Sequence, residues 1–175
     1  MYAAHFAAGL AIKSRAPKTP AWALLVGAFV PDLLWIGFSF AGIEPASQRI
    51  YFDDWSHSLA SIAVEATLFS LVFFRAGAAV CFPVWLAVFS HFLLDLPIHP
   101  RPLALFPHSS IHVGPDLWAW GLSKSLLGAT NYWWIQLGSL IVLLAIYIAG
   151  ARKAGIALNL AAASCLAVFG LHLLF

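Results

Sequence analysis

The chain has 175 residues, of which 62% are hydrophobic and only 9% charged, with a mean hydropathy of +0.90. Water-soluble domains carry about 25% charge, and so high an aliphatic and aromatic content excludes disorder. A net charge of +2 is too small and too dispersed for nucleic-acid binding, so composition leaves an all-α integral membrane protein.

In chain order, residues 1–12 (MYAAHFAAGLAI) are apolar but too short to cross a bilayer alone. Lys13, Arg15 and Lys18 follow this run instead of preceding it, so it reads as a retained, half-buried or re-entrant helix and not as a signal peptide. Four segments, roughly 20–43, 57–75, 77–97 and 131–150, reach the spanning length of about 20 residues, and a fifth, 155–175, ends the chain. The expected fold is a bundle of about five membrane-spanning helices plus the short N-terminal helix, in a single domain. Residues 1–120 carry the candidate chemistry, and the two spans in 131–175 form bundle wall. Between them, Pro97, Pro100, Pro102, Pro107 and Pro115 break any long helix in the loop 98–130. Trp118, Trp120, Tyr132, Trp133 and Trp134 bracket the next span as interfacial aromatics do. Cys81 and Cys165 lie in apolar segments and read as small hydrophobes.

Positive charge marks the cytoplasmic side. Starting the first span inside puts Lys13, Arg15, Lys18, Arg75, Arg152 and Lys153 there, and Arg49, Arg101 and Lys124 opposite. The acids Glu44, Asp53, Asp54 and Asp116 also fall opposite, so loops 44–56 and 98–130 are expected outside.

An ionisable group inside a membrane helix is costly unless paired or hydrated, and so points to function. His5, Asp32, His57, Glu65, His91 and Asp95 stand in apolar surroundings. At 1.5 Å per residue, Asp32 comes out roughly 18 Å up its helix, His91 about 21 Å, and Asp95 and His57 about 27 Å. His5, about 12 Å from the charged turn at Lys13, reaches the same zone. Four segments thus deliver His or Asp to the mid-to-outer half of one bundle. His91 and Asp95 are i, i+4 and share a helix face. Pro31 frees a backbone carbonyl just before Asp32, and Gly9 permits close helix approach one turn after His5. Glu65 is either a partner of His57 or a protonated structural residue, and His172 reads as structural or interfacial.

Imidazole and carboxylate together are ligands for divalent ions, zinc first among them. His5, Asp32, His57, His91 and Asp95 are the expected metal ligands.

The ordered set His5-x-x-x-Gly9, Pro31-Asp32, Ser56-His57-Ser58 and His91-x-x-x-Asp95 resembles the bacterial inner-membrane family of metal-dependent hydrolases of YdjM type, over roughly residues 1–120. The same order is similar to the zinc-dependent phospholipase C and single-strand nuclease superfamily. That resemblance implies one metal on His5, another on Asp32, His57 and His91, and Asp95 between them. It also implies a second ligand set from His99, His112 and Asp116, although Gly114 and Pro115 keep that stretch from being regular helix. The implied location is the bacterial cytoplasmic membrane, multi-pass, and the implied activity is hydrolysis of a phosphoester or lipid-linked substrate arriving from the lipid. Asp32 and Asp95 would serve catalysis, and Arg101 would clamp phosphate through its guanidinium. The alternatives are a non-catalytic, metal-stabilised scaffold and a small transporter. A transporter should show inverted repeats or paired broken helices, and the sequence shows neither.

Overall fold

The computed structural model describes residues 2–44, 52–116 and 131–174. The chain runs as α1 (Tyr2–Arg15), α2 (Ala21–Gly27), α3 (Val30–Phe40), α4 (Asp54–His57), α5 (Leu59–Leu71), a 3-10 turn (Phe74–Ala76) and α6 (Ala78–Asp95). Strands β1 (Leu103–Ala104) and β2 (His112–Val113) follow, then α7 (Asn131–Ala151) and α8 (Leu158–Leu174). The helical class stands; the span count does not. Among the described residues two helices, Ala78–Asp95 and Trp134–Ala151, are long and apolar enough to cross a membrane, and α2 with α3 makes a third only as a span bent by 49°.

The expectation of about five spans fails for local reasons. Within 57–75, Ser58 is extended (ψ 155°) and its side chain accepts the Ser61 N–H, capping a new helix that ends at Leu71. Those 13 residues rise about 20 Å, short of the roughly 30 Å of hydrocarbon. The last helix starts only at Leu158, after Gly155 turns the chain at φ +72°.

Helix α1 is also more enclosed than half-buried. Ala3, Ala4, His5, Ala7, Ala8, Leu10 and Ala11 are all buried, because α7 packs along α1, with α2, α6 and α8 around it. Small side chains make this possible: a Cβ on Gly9 would lie 3.1 Å from the Leu24 carbonyl oxygen of α2, the close approach its position after His5 suggests. One apolar core joins α1 to α7 and α8 through Ala7, Leu10, Leu140, Tyr147, Ala161 and Val168. A second joins α2 to α6 through Leu24, Val80, Val84 and Ala87.

The proline-rich segment after α6 contributes a small antiparallel hairpin that the sequence did not suggest, with Leu103 opposite Val113 and Ala104 opposite His112. Leu103 packs with Ile62 and Phe92, and the Leu105 carbonyl accepts the Ala60 N–H, so the hairpin seals the end of α5 and α6. Gly114 (φ +101°) passes so close to α6 that a Cβ would sit 2.5 Å from the Leu96 oxygen. Only glycine satisfies both conditions.

Candidate metal centre

Five side chains from four helices meet at one buried point. His5 comes from α1, Asp32 from the first turn of α3, His57 from the end of α4, and His91 and Asp95 from one face of α6. His5 and His91 are fully buried, and Asp95, His57 and Asp32 nearly so. Asp95 Oδ1 lies 3.2 Å from His5 Nε2; its Oδ2 lies 3.3 Å from His91 Nε2 and 4.0 Å from His57 Nε2. Asp32 Oδ1 lies 3.6 Å from His57 Nε2 and 3.9 Å from His91 Nε2.

The break between α2 and α3 serves this site. Pro31 occupies the first turn of α3, where its missing N–H is harmless. The Ala28 carbonyl, at the end of α2, accepts the His91 Nδ1–H at 2.9 Å. That bond fixes the tautomer and leaves the Nε2 lone pair facing the carboxylates, as metal-ligating histidines require. His57 is fixed the same way. Its Nδ1–H donates to Ser56 Oγ (2.7 Å), whose own proton goes to Glu44 Oε2 (2.7 Å), while Glu44 Oε1 accepts the Ser56 N–H (3.0 Å). Glu44 is fully buried, and burial pushes its carboxyl above the ordinary range against the pull of these bonds.

The donor set fits a divalent ion. Ligands 2.0–2.1 Å from a tetrahedral metal lie about 3.3 Å apart, near the shorter of the separations here. His5 Nε2, His91 Nε2 and Asp32 Oδ2 are buried with no hydrogen bond of good geometry, so the groups converge without satisfying one another. Two ligand triads meet the spacing a single ion needs, His5–Asp32–His91 and His57–His91–Asp95. Protons alone fit less well. The His5 and His91 rings stack with centroids 3.7 Å apart and planes 9° apart, so a second imidazolium would sit face to face with the first. Only one of that pair can carry charge, so protons would balance the two buried carboxylates only with His57 charged as well, whereas a dication balances both by itself.

The second ligand set does not assemble. His99 is buried, but its Nε2 pairs with Asp53 Oδ2 at 3.0 Å and its Nδ1–H donates to the Arg101 carbonyl at 2.8 Å. Burial pushes Asp53 up and His99 down. The hydrogen bond and opposite charge between them win, leaving Asp53 below and His99 above its ordinary range. His112 is exposed on β2 and Asp116 is exposed beyond it. Among the described residues, no convergent ligand group includes any of the three. The strand at His112 and the turn at Gly114 remove the helix that an H-x-x-x-D pair needs to share a face. Glu65 is buried on α5 with an unpartnered Oε2 and stands outside both triads. Arg101 is exposed on the turn after α6. The side chain of His172 lies outside the described residues.

Sequence reasoning missed Glu44, Ser56 and Asp53. All three read as loop or helix-start polar residues, and no spacing rule links positions 44 and 56 across a connection. If Ser56 orients His57, Ser56→Ala should weaken zinc affinity about 10- to 100-fold, the usual loss from an outer partner, with little change in fold. Competition against a chromogenic chelator measures it.

No family model matches the chain, and no curated protein or solved structure matches it.

Proposed function

We propose that the chain is a membrane-embedded, metal-dependent hydrolase of phosphoester or lipid-linked substrates, set in the bacterial inner membrane. The observation that carries the reading is the convergence of three imidazoles and two carboxylates at a buried point, with His57 and His91 held from behind so that each turns Nε2 inward. The resemblance of the ordered His/Asp set to the pattern of the YdjM-type hydrolases points the same way.

Membrane embedding is supported by the exterior of the bundle. Trp22, Phe40, Leu68, Val72, Phe82, Val142 and Leu166 are each more than half exposed, far more apolar surface than a monomer in water presents.

A divalent ion, zinc first among the candidates, would be held by His57, His91 and Asp95 with Asp32 and His5 beside them. It would supply Lewis-acid polarisation of water and of a phosphoryl oxygen. The chain's own residues do the rest. Asp95 offers one oxygen to His5 and the other to His91 and His57, so it ties the three imidazoles together. Asp32 has a buried, uncommitted Oδ2 and the least buried side chain of the five, which suits it to take a proton from a water held inside the cluster at its least enclosed edge. Leu33 and Ile36, exposed on the same helix, make that edge apolar, as an amphiphilic substrate requires. Arg101 is the phosphate clamp of this reading.

Zinc-loaded protein should hydrolyse a model phosphodiester or a phospholipid, and Asp32→Asn should abolish turnover while much of the zinc stays bound. Metal-loaded protein that turns over no member of a broad phosphoester and lipid panel would reassign the site to a metal-stabilised scaffold.

A further inference from the structure

The fold separates charge along its length. Lys13, Arg15, Lys18, Arg75, Arg152 and Lys153 are six of the nine lysines and arginines. Each lies at a helix end or turn remote from the His/Asp cluster. Along α1, His5 and Arg15 stand ten residues apart, about 15 Å. Near Arg15, Ile12 packs into the same core as Phe69, Phe73 and Val80, the residues on either side of Arg75. All seven acids lie elsewhere. Asp32 and Asp95 are in the cluster, Glu44, Asp53 and Asp54 adjoin it in the chain, Glu65 is inside α5, and Asp116 follows the hairpin.

At the basic end, between the last turns of α1 and α7, is a partly open cavity of about 360 Å³. Ser14, Arg15, Pro17, Gly150, Lys153 and Ala154 line it. Arg15 and Lys153 are exposed, and among the described residues neither has a carboxylate partner. Lys13 is occupied differently: its Nζ donates to the Pro17 and Thr19 carbonyls at 2.7 Å and holds the turn that forms one wall. The other walls are apolar. On α7, Val142, Ile146 and Gly150 follow one another at i+4 spacing on one side of the helix, Lys153 lies in the turn just after its end, and Val142 and Ile146 are exposed.

We propose that this cavity binds the headgroup of an anionic phospholipid, with Arg15 and Lys153 clasping the phosphate and the acyl chains running along Val142 and Ile146. Basic pockets between helices at the membrane boundary recognise such headgroups. The exposed apolar track leading away from the cations favours lipid over free phosphate. The proposal rests on the membrane reading but not on the metal or on hydrolysis.

The test uses the full chain in neutral detergent, titrated separately with short-chain phosphatidylglycerol, short-chain phosphatidylcholine and inorganic phosphate, with the shift in thermal unfolding as readout. Phosphatidylglycerol alone should bind tightly. Arg15→Gln with Lys153→Gln should weaken it roughly thirtyfold, since each cation near an anionic headgroup contributes about fivefold. Arg75→Gln, outside the lining, should not. Ala154→Leu fills the cavity without touching charge and should also lose the response. Equal binding of the two lipids, a response to phosphate as strong as to phosphatidylglycerol, or an intact response in Ala154→Leu would each overturn the proposal. Extraction of the protein without detergent would defeat the membrane reading itself, and that result is in hand before any lipid is added.

Discussion

The wild-type chain should purify with a divalent ion bound, and Asp95→Ala should purify without it. Among the described residues Asp95 is the one carboxylate recorded within 4.0 Å of all three imidazole Nε2 atoms, so its loss opens His57–His91–Asp95 and leaves His5 without its carboxylate. Losing an outer partner of a metal ligand costs about 10- to 100-fold in affinity, and losing a ligand should exceed that. The isosteric Asp95→Asn separates this from the alternative, a plain His–Asp network. With metal present, the wild type should be the more stable by about 2.7 kcal/mol once the free ion is a hundredfold above its dissociation constant. With chelator present the order should vanish or reverse, because the apo wild type keeps an uncompensated carboxylate in its interior. Thermal unfolding in both conditions, with metal content by emission spectrometry, reads the outcome. If Asp95→Asn is destabilised equally with and without metal, the cluster is an ion-pair network and not a metal centre.

Gly150→Leu should destabilise the fold by about 3 kcal/mol, the upper part of the usual overpacking range, and should lower metal affinity as well. Gly150 of α7 faces Ser14 of α1. A Cβ there would collide with Ser14 Oγ and lie 2.6 Å from Ser14 Cβ and 3.3 Å from its backbone oxygen. A serine hydroxyl can rotate away, but Cβ and backbone cannot, so even alanine requires the helices to part. Helix α1 carries His5 about two and a half turns before Ser14, and its displacement moves a ligand. Gly150→Ala should therefore show a smaller loss that Ser14→Gly partly restores, the non-additivity expected of touching residues. Unfolding in detergent would reveal it. Additive effects would mean that α1 and α7 do not depend on this contact.

Residue types, more than lengths, carried the legible part of the site. His91 and Asp95 were readable because i, i+4 spacing survives in any α-helix. Asp32 was readable because it is a carboxylate in an apolar span, next to a proline that frees a backbone carbonyl, and His5 because an imidazole in so apolar a run needs a reason. The number of spans was not readable. Hydropathy sees composition over a window, while Ser58 interrupts its helix with a single extended residue and one side-chain cap. The hairpin at 103–113 escaped notice because two two-residue strands leave no periodicity to detect.

The sequence by itself determined the helical class, the apolar character and the identity of the five polar residues of the cluster, since each follows from composition or from contacts within a few residues. The tertiary structure decided which of them meet and what stands behind them. The Ala28 carbonyl reaches His91 across 63 residues of sequence, and Glu44 reaches Ser56 across 12. Only packing could also divert His99 to Asp53 and turn His112 outward on a strand, because partner choice between distant segments follows from how the helices fit together and leaves no local pattern to read.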